Sequence, residues 1–453
     1  MAKRSKEEAA GSEQPEAVPT RIAVAGFKSI REEQSIELRP LTILAGANSS
    51  GKSSMVQPLL MMKQTLEATY DPGPLLLNGP NVRFSEGKQL LSRTRKGESV
   101  NEFHVGIESL AKLGITTYFR KLPDRTLELH RAVLLENGKL LDVTTTMDHA
   151  TLERELPDKP VAMLKEFLPA FNATPYWELQ RERCFLRPIA RVKPPNRRIE
   201  DIPFSLQCLD RVGQWLHDLV HLPALRGNPR RTYPVTAVGT TFSGTFDNYV
   251  ASIIAKWQGD DDRDKLNSAT DDLRVLGLSW KVVARRISDA EVELQVGRLP
   301  RAVRGGARDL VSIADVGFGV SQALPVVVAL HAAGPEHLVY LEQPEIHLHP
   351  RAQVAMASVL ARAVQRGVRV LIETHSPLLL LAVQHLVATG TIAPDAVKLH
   401  WFTRSEEDGG TSVTSADLDD AGAFGDWPED FGDVEMDIEK RYMDAAEARM
   451  SCK

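Results

Sequence analysis

The chain has 453 residues, 43% of them hydrophobic and 25% charged. This is the make-up of an ordinary globular protein, and it excludes a largely disordered, collagen-like or disulfide-framework polypeptide. The net charge of −5 conceals an acidic end: from Trp401 onward 15 acidic residues face 5 basic ones, which leaves +5 on the first 400 residues. A mildly basic body leaves room for a polyanionic ligand without requiring one. Cys184, Cys208 and Cys452 lie far apart with no CxxC pair, so no zinc module is signalled. The longest apolar runs, 324–330 and 378–383, fall far short of the ~20 residues that cross a bilayer. Lys3, Arg4 and Lys6 are followed by no apolar stretch, so no secretory leader is read, and a cytoplasmic protein with no membrane partner is expected.

In chain order, residues 1–19 are polar and close on Pro15 and Pro19, which predicts a disordered leader. Ile22 and Val24, then Ile36 and Leu38, alternate as strands do around a turn at 28–33. The run L-T-I-L-A at 41–45 reads as a short buried strand that stops at Gly46. Helix-spaced Met55, Leu59, Leu60 and Met61 follow, with Pro58 in the early turns where it costs least. Residues 75–146 read as antiparallel strands, with 126–136 and 139–147 flanking Asn137-Gly138. Residues 148–300 are mixed, with helical stretches at 206–220 and 246–258. The texture is again α/β from Leu310: helix 321–333, strand 337–341, helix 351–365, strand 369–373 and a helix from Pro377. The end from Asp408 has few apolar residues, which predicts partial order only. The expected organisation is a leader (1–19), a first α/β half with an antiparallel β lobe (20–147), a mixed helical insertion (148–309), a second α/β half (310–404) and an acidic segment (405–453).

Residues 46–53 read G-A-N-S-S-G-K-S, which fits GxxxxGK[ST] between a strand and a helix. Gly46 and Gly51 let the backbone curl so that the amides of Ala47, Asn48, Ser49, Ser50 and their neighbours through Ser54 converge on a phosphate. The helix behind them adds its positive end. Lys52 would reach the β- and γ-phosphates, and the Ser53 hydroxyl would take a place on Mg²⁺. The alternative is a plain Gly/Ser turn before a helix.

The strand at 337–341 runs into Glu342, Gln343, Pro344 and Glu345; the acid is placed to hold a metal ion through water. The strand 369–373 ends in Glu373 and is followed by Thr374-His375-Ser376, where a histidine can reach a γ-phosphate or the attacking water. Both ends fall at the edge of an α/β sheet where ligands bind. Asp315-Val-Gly317-Phe-Gly319-Val-Ser321-Gln322 opens a helix, which makes either a second anion site or a plain serine cap.

With these pieces in order the chain resembles an ATP-binding-cassette-type ATPase of the SMC/RecF/OLD group. The opening I-A-V-A-G-F-K-S-I at 22–30 is similar to that group's first strand and its F-K-S turn, and Asn48 gives the group's variant of the loop. The nearest likeness is to stand-alone prokaryotic AAA ATPases with a C-terminal domain of unknown function. These share E-Q-P-E-x-H-L-H-P (342–350), T-H-S (374–376) and a late W-P-x-x-F (427–431). The likeness covers 21–56 and 310–431 well, and the middle only through L-P-A-L-R at 222–226. It implies a P-loop NTPase, an ABC-ATPase-like α/β head with an antiparallel β lobe and a helical insertion. It also implies two ATP molecules with Mg²⁺ sandwiched in a homodimer. Lys52 and Ser53 would hold one ATP, the partner copy's Gly317, Gly319 and Ser321 would close over it, Glu342 would be the metal acid, His375 the switch histidine and Gln89 a metal-sensing glutamine. Two departures stand out. The metal acid is Glu rather than Asp, and the usual catalytic glutamate is Gln343, which cannot take a proton from water. Glu345 or His375 then does that work, or hydrolysis is slow.

No sustained heptads separate the two halves, so a long coiled-coil arm is excluded. About 75 residues follow His375, too few for an appended nuclease domain, so a nuclease would act in trans. Glu345, His347 and His349 alternate as metal ligands could, without a further partner. Arg181, Arg183, Arg187, Arg191, Lys193, Arg197 and Arg198, followed by Arg226, Arg230 and Arg231, form a basic run that could track DNA phosphates or be a solvated or docking face. Asp417 to Asp420 read as solvated tail, and Trp177 and Trp215 as core. Three functions stay open: an ATP-dependent dimerising switch for an effector or DNA in anti-phage defence or DNA maintenance, a nucleotide-bound scaffold that never hydrolyses, and a small-molecule kinase.

Overall fold

The computed structural model describes residues 18–93, 100–123, 126–157, 161–162, 166, 175–192, 200–203, 205–259, 262–299, 309–335, 337–425 and 440–444. The leader up to residue 17, Lys193, Arg197, Arg198, the W-P-x-x-F stretch and Cys452 lie outside the described residues.

The most apolar short runs build the centre, because strands of a parallel sheet are covered on both faces. They are β3 (Leu41–Gly46), β11 (Val220–Leu222), β16 (Leu338–Glu342), β17 (Arg369–Glu373), β18 (Val397–Arg404) and β19 (Thr411–Asp417), in the spatial order β11-β16-β17-β3-β18-β19. The first five are parallel and β19 closes the edge antiparallel to β18. Side chains alternate between two cores, as the period of a strand requires. Leu41, Ile43, Val339, Leu341, Val370 and Ile372 enter one. Leu44, Leu338, Tyr340, Leu371 and Phe402 enter the other.

The first core is covered by α4 (Val250–Gly259), α5 (Arg263–Val275), α6 (Phe318–Ala332), α7 (Pro350–Gln365) and α8 (Pro377–Ala388). The second is covered by α1 (Lys52–Leu66), α3 (Gln207–Asp218) and an antiparallel lobe. That lobe comprises β1 (Pro19–Ala25), β2 (Gln34–Glu37), β4 (Glu102–Ser109), β5 (Gly114–Lys121), β6 (Leu127–Glu136) and β7 (Lys139–Thr144), ordered β2-β1-β4-β5-β6-β7. Asn137 and Gly138 both take positive φ, 51° and 83°, in the two-residue loop between β6 and β7. That geometry matches the twist of a hairpin, as the Asn-Gly pair predicts.

The interval 148–309 holds more strand than its helical stretches suggest. After α2 (His149–Glu155) come β8 (Pro175–Glu182), β9 (Phe185–Val192) and β10 (Glu200–Pro203), which form a three-stranded sheet. A second small sheet comprises β12 (Tyr233–Pro234), β13 (Val282–Arg286), β14 (Glu291–Gly297) and β15 (Leu310–Ser312). Proline marks four of these strands, at Pro175, Pro188, Pro203 and Pro234, and proline in a run ordinarily argues against a strand. The acidic segment also differs from its reading. Residues 411–417 are a sheet strand, and Asp417 pairs with Lys398 at 2.8 Å and Arg39 at 2.8 Å instead of lying in a solvated tail. Pairing with the otherwise open edge of β18 outweighs the low apolar content. Trp177 and Trp215 are buried, as expected of core residues. No helix among the described residues is long and apolar enough to cross a membrane.

Two polar contacts brace this frame. Leu206, which precedes α3, offers no side-chain cap; Glu136 at the end of β6 does so from 71 residues away, accepting from Gln207 N at 3.1 Å and Cys208 N at 2.9 Å. A carboxylate on the positive end of a helix both caps and compensates it. Glu136→Ala is therefore expected to lower stability by about 1–2 kcal/mol, read as a shift of the urea midpoint with an unchanged slope. His400 on β18 is wholly enclosed, with Nδ1 2.8 Å from Ser415 Oγ and Nε2 2.8 Å from Glu37 O. Burial holds its imidazole down at about 4, against an ordinary 6.5. The unfolded chain thus takes up a proton that the folded one refuses, so this contribution is present above pH 6.5 and is lost as pH falls towards 4. Urea midpoints across that window should show up to about 3 kcal/mol of acid destabilisation from this site, and His400→Gln should flatten that slope.

Candidate nucleotide site

The loop at 46–53 is shaped by crowding at the end of β3. A Cβ on Gly46 (φ 139°) would stand 2.3 Å from the carbonyl oxygen of Phe402, and one on Gly51 (φ 109°) 2.4 Å from Thr411 Oγ1. No side chain caps α1 at Gly51, so the amides that open the helix are left to an anion. Lys52 is nearly buried and folds back over the loop, donating from Nζ to Gly46 O at 3.0 Å and Ala47 O at 2.8 Å. Burial lowers its pKa, and the charge of Glu373 opposes that shift.

Around the loop lies a cavity of about 710 Å³ whose wall includes Asn48 through Ser54, Gln57, Gln89, Gln343, Glu373 and His375. Such a volume suits a small-molecule ligand. Gln89, on a short 3-10 turn, is on the wall, with its side-chain amide bonded within its own turn to Ser85 and Glu86. The sequence reading did not foresee four contributors. Lys28, Arg404 and Asp408 also face the cavity, and Thr411 donates from Oγ1 to Ser50 O at 2.7 Å and Ser29 Oγ at 2.8 Å, which pins the loop from β19. The F-K-S turn is the available signal for Lys28; Asp408 and Thr411 come from the acidic segment, and Arg404 ends the second α/β half.

The strand ends are arranged differently from the expected pairing. Glu373, completely buried, accepts from Ser53 Oγ at 2.8 Å on one oxygen and from Tyr340 OH on the other. Burial and the neighbouring charge of Glu342 push its carboxyl up to about 7, against hydrogen bonds from Tyr340 and Ser53 and the charge of Lys52. Glu342, expected beside Ser53, instead has its Oε1 3.2 Å from His221 Nε2, and its Oε2 accepts from Ala224 N at 3.1 Å. Its pKa lies below the ordinary value: burial raises it, but the His221, Ala224 and Arg226 contacts together outweigh that. Asn81 Nδ2 continues the chain, 3.1 Å from His221 Nδ1. Arg226, from the L-P-A-L-R stretch, is buried and donates to the carbonyls of Gln322, Glu342 and Gln343 at 3.1, 2.8 and 3.4 Å.

Gln343 faces the cavity in a left-handed conformation (φ 45°), and its N–H donates to Glu373 O at 2.9 Å. Glu345 is buried; its Oε1 accepts from Thr374 Oγ1 at 2.6 Å and His375 N at 3.1 Å, while its Oε2 has no protein partner. Burial raises the Glu345 pKa. His375 faces the cavity with its pKa lowered by burial and by Lys52. Gly317, Gly319 and Ser321 are not on the wall of this cavity. Gly317 and Phe318 are exposed at the start of α6, and Ser321 Oγ donates to Phe318 O at 3.0 Å.

The other constellations resolve less favourably for ligands. In the basic run Arg181 forks onto Asp71, Arg187 pairs with Glu182 and Asp210, Arg191 pairs with Glu178, and Arg183 donates to Thr65 O. Arg181, Arg187 and Arg191 are thus paired with carboxylates and Arg183 with a carbonyl; two of those acids, Glu178 and Glu182, lie on the antiparallel strand β8. His349 Nδ1 accepts from Arg351 N at the start of α7, so its metal-facing nitrogen is taken up in a helix cap. No cluster of three metal-ligating side chains occurs among the described residues.

Residues 243–382 match the family model described as "AAA domain, putative AbiEii toxin, Type IV TA system". That stretch carries the glycine turn, Glu342 and His375; the loop at Lys52 lies before it on the adjoining strand β3. Over that stretch the chain is similar to an AAA domain. Solved SMC heads are similar over most of their length. The SMC head bound to the C-winged helix domain of ScpA has 13% identity, with 89% of this chain and 99% of that one covered, at a TM-score of 0.46. The SMC head domain from Thermotoga maritima gives 11%, 88%, 98% and 0.41. The Pyrococcus furiosus head, with an extended coiled coil and the C-terminal domain of ScpA, gives 11%, 88%, 96% and 0.44. No curated protein matches the sequence.

Proposed function

We propose that this AAA-type head binds ATP with Mg²⁺, hydrolyses it slowly, and uses ATP-driven homodimerisation as a switch for an effector acting in trans. The observation that carries the reading is the curled loop at 46–53, with its helix-opening amides uncapped and Lys52 beside them, facing a cavity shared with Gln343 and His375. In this reading the loop amides and Lys52 bind the phosphates and Ser53 faces the cation. His375 stands at the γ-phosphate end. The cation, when bound, neutralises charge that develops on the phosphoryl oxygens. The glycine turn at Gly317 and Gly319, with Ser321, would close over the partner copy's nucleotide; its exposure at the start of α6 and its place outside its own chain's cavity support that arrangement. The description of the matched model, a putative toxin of a type IV TA system, supports an effector-linked setting for the switch. DNA is the less favoured partner, because the described part of the basic run is largely neutralised.

Slow turnover follows from Gln343, which has no proton-accepting group for the attacking water. Glu345 is the nearest substitute: its free buried oxygen and its upward-shifted pKa suit a base, while its other oxygen holds the His375 backbone. The same glutamine favours the second reading, a nucleotide-bound scaffold that docks its effector without hydrolysis.

Lys52→Ala is expected to weaken ATP binding at least tenfold in calorimetry with the full chain; unchanged affinity would remove the nucleotide reading. Gln343→Glu should raise phosphate release by about 10²-fold or more, since a positioned general base is worth that much. If wild-type release is measurable, Glu345→Gln or His375→Ala should lower it; a rate untouched by both would exclude them as the base. A wild-type chain that binds ATP and releases no phosphate would establish the scaffold.

A further inference from the structure

We propose that Glu373, and not Glu342, supplies the carboxylate that holds the divalent cation next to Ser53. The assignment rests on the nucleotide reading above and names the residue that completes it. Strand order gives the first reason. β17 lies between β16 and β3, and Glu342 and Glu373 are register partners across the β16–β17 pair. Glu373 is therefore one strand from the loop-bearing β3, and Glu342 two strands, at about 4.8 Å per step.

The second reason is what each carboxylate already touches. Both oxygens of Glu342 are directed towards β11 and the turn after it, by His221 and the Ala224 amide. Glu373, on the same face of the sheet as its register partner, is on the cavity wall, with Ser53 Oγ on Oε2 and Tyr340 OH on Oε1; Tyr340 also interacts with Glu342. The Tyr340 contact fixes the rotamer from the neighbouring strand, so the oxygen facing Ser53 is held in place before any ion arrives.

The third reason is charge. Glu373 is completely buried, and no ion pair joins it to a cation among the described residues; Lys52 spends its ammonium on two loop carbonyls. A second carboxylate, Glu342, ends the next strand. A buried acid beside another acid is costly unless a positive charge compensates it. A hard divalent cation held by the Ser53 hydroxyl and this carboxylate would supply that charge with oxygen ligands it prefers. The donor set therefore fits Mg²⁺. One consequence is compactness: Glu373 and His375, two residues apart, place the cation ligand and the γ-phosphate-facing group on one segment, whose Thr374 and His375 are fixed by Glu345.

The test uses the purified full chain and Mn²⁺ as a paramagnetic substitute for Mg²⁺. ATP affinity is measured first in EDTA by calorimetry, then Mn²⁺ affinity of the ATP-loaded protein by the loss of the free-ion electron paramagnetic resonance signal. Glu373→Gln and Ser53→Ala should each weaken Mn²⁺ at least tenfold, with the ATP affinity of Glu373→Gln in EDTA within twofold of wild type; Glu342→Gln should change Mn²⁺ affinity by less than threefold. Should Glu373→Gln lose the wild-type circular dichroism or thermal transition, Glu373→Asp, which keeps the charge one methylene short, should still weaken Mn²⁺ several-fold. ATP binding with Mn²⁺ affinity untouched by the Glu373 variants, or lowered mainly by Glu342→Gln, overturns the assignment alone and leaves Glu373 as a clamp between α1 and the sheet. Absence of ATP binding by the wild-type chain in EDTA overturns the nucleotide reading and this assignment together.

Discussion

The site depends on how closely β18 approaches the end of β3. With Phe402 O only 2.3 Å from where a Cβ on residue 46 would stand, the chain has to leave the sheet at a glycine. It then turns through Ser49 and Gly51, both with positive φ, before α1 begins. That path is what points successive amides inwards at the start of a helix, the arrangement that favours an anion. The same crowding recruits β19. Thr411 fills the space a Gly51 side chain would need and bonds Ser50 O and Ser29 Oγ, so the acidic C-terminal segment becomes part of the loop's foundation.

Local features were therefore legible in the sequence, and contacts over long separations were not. The boundaries of β17 and the Asn-Gly hairpin follow from short-range period and turn chemistry, and α1, α7 and α8 start where the sequence places them. The loop itself was readable because its spacing encodes its shape. Glu373 was visible only as the last residue of a strand: its meaning comes from Ser53, 320 positions away. Glu342 is read from its position in a motif; in the structure its carboxylate contacts His221 and the Ala224 amide. Of the acids that pair with the arginines of 181–191, Asp71 lies 110 positions from Arg181, whereas Glu182 and Glu178 are close in sequence and meet Arg187 and Arg191 only through the β8–β9 pairing. Strands β9, β10 and β12 were hidden by their own prolines.

The buried polar groups around the sheet edge form two connected systems that meet at the 342–343 peptide. One runs from Asn81 through His221 to the Glu342 side chain. The other is Arg226, which donates to the Glu342 and Gln343 carbonyls on one side and to Gln322 O on α6 on the other. Burial lowers Arg226 to about 10, still far above neutrality, so it stays charged and its grip on the three carbonyls persists. Charge-assisted bonds of this kind are the stronger ones. They fix the strand end and the first turn of α6 as one unit.

That unit bears on how nucleotide could be linked to assembly. Gln343 donates its N–H to Glu373 O, and Glu345, two residues on, anchors Thr374 and His375. The cavity wall at Glu373–His375 is thus tied to 342–345, and 342–343 is tied through Arg226 to α6, which opens with the exposed glycine turn. A shift of the 373–375 segment has a continuous hydrogen-bonded route to the surface at Gly317 and Phe318. Coupling of this sort needs two discrete arrangements rather than mere contiguity. Gln343 supplies a physical basis for them: its left-handed backbone is a strained state for a side-chain-bearing residue, held by Arg226 on its carbonyl and by Glu373 O on its amide. Such a residue costs free energy in the arrangement described, and relaxes when either tether moves.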